Sequence, residues 1–262
     1  MKRHWFILSL IAAAGSIACR EERAPASAPS SQAQTSSVPA TAAKHPPLAI
    51  QTYGELHAMM HDQKTGPAVN LAAVLAPTLY GLGALSELRG EVTILSGTAW
   101  LAYPGEANDT RVETTTSSNE NAALLVTANV PTWTSLPVPN DIDSAALDQQ
   151  IESLANAAGV DTEQAFPILI EGDLINLHWH VIDGRRAVPS PSSHEQHMQM
   201  AAKGEAPTEH ATLLGFFSKH HQGVFTHHGE NTHFHFVDQE KRLTGHVDAV
   251  GIKAGALFKV PS

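Results

Sequence analysis

Two histidines separated by one residue, His233-Phe234-His235, are followed eleven positions later by His246 in the run Thr244-Gly245-His246-Val247. No other stretch constrains this chain as much. In an extended strand successive side chains leave on opposite faces, so His233 and His235 share a face while Phe234 points the other way. The span from Asp238 to Leu243 is long enough to return a second strand alongside, which would add His246 to the same face. Three imidazoles with a fourth position open is the arrangement of a catalytic zinc site rather than a closed structural one. With 16 histidines in the chain, a lone His-x-His would say little. The third histidine, on its own β-rich segment, is what turns the pattern into a metal face.

The N-terminus reads as an export signal over residues 1–23. Lys2 and Arg3 give a basic start, Trp5 to Ala13 is mostly apolar, and Ser16-Ile17-Ala18-Cys19 follows. The apolar stretch is short for a transmembrane helix. Cys19 is the sole cysteine and sits where a lipoprotein signal is cut and acylated, with Ser16 in place of the usual leucine. No disulfide can form, and a site built of histidine and carboxylate suits an oxidising exported setting better than thiolates do. Residues 24–47 are almost all Ala, Ser, Pro, Thr and Gln, a composition that cannot offset chain entropy by burial; they read as a tether. The folded part is then residues 48–262. The expected location is the bacterial cell envelope or periplasm, with the lipid anchor as the link to the membrane. A formal charge of −10 and the lack of a basic patch argue against nucleic acid as a partner.

Periodicity predicts an α+β domain, mostly antiparallel or mixed β-sheet with few helices. A short helix is expected from Tyr53 to Asp62, with His57 and His61 on one face. Val92 to Leu95 and Thr98 to Leu101 flank Ser96-Gly97, a good hairpin turn. Ala122 to Val130 reads as a strand, and Asp143 to Ala158 as a helix with Leu147, Ile151 and Leu154 on one face and Gly159 at its C-terminal cap. Phe166 to Ile170 and Leu174 to Val181 read as two strands joined at Glu171-Gly172-Asp173. The polar, Pro-rich stretch from Arg185 to Glu209 reads as a loop. Further strands are expected at Thr212 to Phe217, His233 to Val237 and Gly245 to Ile252. One internal echo, Leu88-Arg89-Gly90-Glu91-Val92 against Leu243-Thr244-Gly245-His246-Val247, would put Glu91 and His246 at matching positions.

These stretches resemble the bacterial α-acetolactate decarboxylase family. The resemblance is carried by Gly81-Leu82-Gly83 with Leu88 to Val92, by Ile170-Glu171-Gly172, by Thr212 to Phe216, and by His233 to Phe236 with Gly245-His246-Val247. It implies a zinc-dependent conversion of 2-acetolactate, or a similar 2-hydroxy-3-keto acid, to acetoin and carbon dioxide. Zn²⁺ or another divalent transition metal would be held by His233, His235 and His246, with Glu91 at the family's metal-proximal glutamate as proton donor or fourth ligand. The chain departs from the family in three places. His180, in His178-Trp179-His180, stands where an active-site arginine is expected, and it cannot form a bidentate fork to a carboxylate. Ala84 replaces a threonine. A glutamate of the family's C-terminal tail finds no counterpart. Arg185 and Arg186 lie near enough in sequence to take over from the arginine.

The alternative to a lyase is a relative that binds metal or a small molecule without turnover. His194, His197, Met198 and Met200, with the pairs His220-His221 and His227-His228, give it support, because imidazole and thioether suit copper. The expected small-molecule partner is a keto acid; a homodimer is left open.

Overall fold

The structure, a computed structural model, describes residues 48–106, 109–186 and 201–262. The export signal, Cys19, the tether and the His194 to Met200 cluster lie outside the described residues. Two antiparallel sheets make up the fold. The first contains β1 (Ile50–Tyr53), β2 (Val69–Asn70), β3 (Leu79–Leu85), β4 (Glu91–Leu95), β5 (Thr98–Pro104), β6 (Thr110–Thr115) and β7 (Asn121–Asn129). Its order is β1-β7-β3-β4-β5-β6, with β2 also on β7. The second contains β8 (Trp133–Pro137), β9 (Phe166–Val181), β10 (Ala202–Phe217), β11 (Thr232–Asp238), β12 (Leu243–Ile252) and β13 (Leu257–Pro261), in the order β10-β11-β12-β9-β13-β8. Because β10 also pairs with β9, strands β9 to β12 close into a ring of pairing. The helices are α1 (Leu56–His61) and α2 (Leu147–Ala157). Among the described residues no helix is long and apolar enough to cross a membrane.

Alternation decides what each sheet buries. On β4, Val92 and Ile94 enter one cluster with Leu79, Leu85 and Leu125. The opposite face of the same sheet supplies Tyr80, Leu82, Val126 and Ala128, which pack against Leu169, Leu214 and Phe216 of the second sheet and Phe225 of the β10–β11 connection. Glu91 and Thr93 point into this interface between sheets. The far face of the second sheet is covered by α2, whose Leu147, Ile151 and Ala155 join Phe166, Ile170, Phe236 and Phe258. Gly159, with φ 86°, ends that helix in the left-handed conformation expected of a C-terminal cap. The Ser96-Gly97 hairpin forms with both residues at positive φ.

Two expectations are corrected. Glu171-Gly172-Asp173 is not a turn: β9 runs unbroken through it, and Gly172 pairs with Ala211 of β10. Glycine is needed there for close approach, since a Cβ would lie 2.7 Å from that of Ala256. The stretch before Thr212 is not all loop, because β10 begins at Ala202, opposite Val181, and follows β9 down its length. Its polar composition reads as a loop only when the ladder that satisfies its backbone is out of view.

A further irregularity places the site. Before Asn176 the residues of β9 that join the core cluster containing α2 are Phe166, Ile168, Ile170 and Leu174; after it they are Leu177, Trp179 and Val181. Asn176 has φ 50°, and this left-handed residue switches the alternation. His180, instead of Trp179, therefore faces the first sheet.

Phe234 keeps His233 and His235 in place from behind. It lies in the α2-side core, with its ring over Gly215, its cross-strand neighbour; a Cβ on Gly215 would sit 2.1 Å from the ring. A Gly215→Ala variant is expected to lose about 1–3 kcal/mol of stability by overpacking, measured by denaturant unfolding of the metal-free chain. An unchanged midpoint would show that the ring moves without cost.

Candidate metal centre

Register assembles the histidines. His235 of β11 pairs with His246 of β12, and His246 pairs with His180 of β9, so three imidazoles form a row across three adjacent strands. His233 stands beside the row, two residues before His235. Glu91 reaches the same cavity from the opposing sheet, along with apolar walls from Met59, Leu88, Leu124 and Ile182. The ligating nitrogens of His233, His235 and His246 all lie within 4.8 Å of one another, and all three residues are buried. The expected three-histidine face is therefore present, with Glu91 and His180 at its edge. The echo between the Glu91 and His246 segments corresponds to two residues that face one cavity from different sheets.

Hydrogen bonds fix which nitrogens point inward. The Thr244 hydroxyl donates to the Phe236 carbonyl at 2.6 Å. Its oxygen must then accept from Thr93, 3.0 Å away, and Thr93 accepts in turn from Nδ1 of His235, also at 3.0 Å. The direction is forced, because a carbonyl only accepts and each hydroxyl has one proton. Nε2 of His235 is left with a bare lone pair. It is buried, makes no hydrogen bond, and lies 3.9 Å from Glu91 Oε2. His233 donates from Nδ1 to the Phe225 carbonyl at 2.7 Å, so its Nε2 also carries a lone pair. That lone pair accepts from His246 Nδ1 at 3.0 Å. Two nitrogens bound to one tetrahedral zinc at ~2.0 Å lie about 3.3 Å apart, so the pair needs little adjustment to take an ion. The backbone partners and the orphaned Nε2 fit a cation held by three imidazoles.

Burial sets the protonation of the metal-free site. It pulls His233 down to about 3, helped by the charge of His227. It also lowers His235 and His246 well below the ordinary histidine range. Burial pushes the Glu91 carboxyl up to about 8, against the N–H of Ile182, which donates to Oε1 at 3.2 Å. Neutral histidines and a protonated acid therefore coexist at neutral pH.

Sequence reasoning missed Thr93, Thr244 and Asp248. Asp248 accepts from His180 Nδ1 at 2.7 Å. It lies two residues after His246 on β12, a same-face spacing that could have singled it out. Arg185 does not enter the site: it holds Asp183 with two nitrogens and donates to the Pro104 carbonyl. His178 shares a face with His180 but is exposed, 3.8 Å from Glu205. The His57 and His61 rings are tilted against each other at 4.6 Å, and His228 lies 6.2 Å from His57. His221 is hydrogen-bonded to Ser218, and His220 lies 3.4 Å from Glu163. Among the described residues, only the inner histidines and the set His180, His246 and Asp248 bring three ligand atoms within 4.8 Å.

The pH dependence of folding follows from these shifts. His233 is harder to protonate folded than unfolded, so its contribution is complete above 6.5 and is lost as pH falls toward 3. Glu91 holds its proton more tightly when folded, so its contribution is complete below 4.5 and is lost as pH rises toward 8. A metal-free Glu91→Gln variant should therefore gain stability relative to the parent as pH rises through that window. Thermal unfolding at several pH values checks this; a difference independent of pH would contradict the raised carboxyl.

No curated protein sequence matches the chain significantly. The fold is similar to that of a Staphylococcus aureus protein of unknown function, itself described as similar to alpha-acetolactate decarboxylase. The two are 17% identical with a TM-score of 0.62, over 80% of this chain and 84% of the other. It is also similar to alpha-acetolactate decarboxylase from Bacillus subtilis strain 168, at 12% identity and a TM-score of 0.63, covering 81% of this chain and 85% of that one. The acetolactate decarboxylase of Bacillus subtilis subspecies spizizenii gives 12% and 0.65 over the same shares. The sequence profile of alpha-acetolactate decarboxylase matches residues 50–259, nearly the whole described fold, and the chain belongs to that family.

Proposed function

We propose that this chain is a metal-dependent carboxy-lyase that converts 2-acetolactate, or a similar small 2-hydroxy-3-keto acid, to acetoin and carbon dioxide. The observation that carries the reading is the convergence, at one site of a family member, of three buried imidazoles, two of them with inward lone pairs, and a protonated carboxyl. His233, His235 and His246 would hold a zinc ion. Bound there, the ion supplies Lewis acidity for the enolate-like charge left when carbon dioxide departs. Glu91 holds a proton at its carboxyl within the cavity and can deliver it to carbon. His180, oriented by Asp248, offers a hydrogen bond to the substrate from the position where the family resemblance expects arginine. Met59, Leu88, Leu124 and Ile182 keep water from the reacting carbon.

The second reading, a relative that binds metal or a small molecule without turnover, is favoured by one observation: among the described residues no lysine or arginine lines the inner cavity to receive a carboxylate. A cell-envelope location with a lipid anchor at Cys19 is also proposed; it rests on residues 1–23 of the sequence.

Racemic 2-acetolactate supplied to the zinc-loaded full chain should yield acetoin above the spontaneous rate. Zinc retention with no acetoin would favour the second reading. His235→Ala should abolish both zinc retention and acetoin formation. Glu91→Gln should retain zinc while kcat falls by about 10²–10⁴-fold; unchanged turnover would remove Glu91 from the chemistry.

A further inference from the structure

His246 belongs to two sets of candidate ligands. In one its Nδ1 meets His233 Nε2 at 3.0 Å. It also belongs to a second set, with His180 and Asp248, whose ligand atoms lie within 4.8 Å of one another. The His246 and His180 rings are 4.6 Å apart between centroids, as their direct cross-strand pairing requires. Asp248 follows His246 by two residues and brings its carboxylate to the same face, where Oδ1 lies 2.7 Å from His180 Nδ1. The inner three histidines are buried, but the Asp248 side chain is 26% exposed and lines, with His246, an open cleft. The second set therefore joins a buried donor to a solvent-accessible carboxylate.

We propose that His246 is a bridging ligand whose second nitrogen, with His180 and the Asp248 carboxylate, holds a second divalent transition-metal ion beside the inner three-histidine set. Two imidazoles and one carboxylate suit zinc and similar borderline ions. The His180–Asp248 contact must open by a few tenths of an ångström to reach the roughly 3.3 Å between two ligands of a tetrahedral ion. Asp248 can make that adjustment because its side chain reaches solvent. An ion here supplies positive charge beside an inner cavity that no lysine or arginine among the described residues lines, next to a cleft that Lys203 lines. The deprotonated His246 that bridging requires is stabilised by a cation on each nitrogen, as thiol and water ligands are by one.

Metal counting tests this without reference to any reaction. The full chain is stripped with chelator, dialysed to equilibrium against micromolar Zn²⁺ alone, and its zinc content measured. The unaltered chain should hold one equivalent more than Asp248→Ala, whose side chain is at the edge of the cleft and whose fold is checked by circular dichroism. Asp248→Glu should restore the equivalent. With Cu²⁺ in place of zinc, two ions bridged by one imidazole couple magnetically. The paramagnetic resonance signal should then rise to one equivalent and fall with the second in the unaltered chain, but not in Asp248→Ala. Equal zinc content in the unaltered chain and Asp248→Ala would overturn the proposal and leave Asp248 as a hydrogen-bond partner of His180. So would copper signals that add without coupling. His235→Ala separately reads the inner set, so failure there is distinguishable from failure at Asp248.

Discussion

A buried hydroxyl on β4 joins the two sheets at the point where the chemistry is expected. Thr93 accepts from His235 on one side and donates to Thr244 on the other. Both partners belong to the sheet opposite its own. In an interior that excludes water, such a chain of hydrogen bonds has one self-consistent direction, and an unmade bond would cost about 1–3 kcal/mol. Because Thr244 is committed to the Phe236 carbonyl, the proton on His235 is committed to Nδ1. The tautomer of a candidate ligand thus depends on a threonine from another sheet. The same strand carries Glu91 two residues earlier, so the contact that sets the imidazole also sets the carboxyl's approach. Asn176 has a comparable effect from within the second sheet: its left-handed backbone turns His180 inward and Trp179 outward.

Much of this could be read from residue order. His-x-His fixes two side chains on one face whatever surrounds them, and a hairpin-length gap brings His246 level with His235, as the register shows. Glu91 was reachable because it follows a strand-opening glycine in a stretch that the family resemblance covers. Thr93 and Thr244 were out of reach, since a hydroxyl chain between residues far apart in sequence leaves no local periodicity. The misread segments in β9 and β10 have one cause. Glu171-Gly172-Asp173 and the polar start of β10 carry local turn and loop composition, and each is held extended by the other strand. Pairing between distant segments overrides propensity there.

The departures from the family pattern acquire a physical setting. An arginine would bring a permanent, forked cation. His180 brings a single imidazole, and Asp248 takes up its Nδ1. Arg185 does not compensate, being tied to the buried Asp183 carboxylate and to Pro104. The β9 side of this cavity is therefore built from imidazole and carboxylate where the family resemblance expects guanidinium, on a fold similar to that of the family along most of its length.

The hydrogen bond from His246 to His233 has a consequence for the protonation of the site. Without an ion, two imidazole lone pairs facing each other at 3.0 Å would repel. A single proton on His246 Nδ1 converts that repulsion into a bond and acts as a placeholder. An ion that takes His246 Nδ1 must displace that proton, so the tautomer of His246 and the register of β11 on β12 are set together.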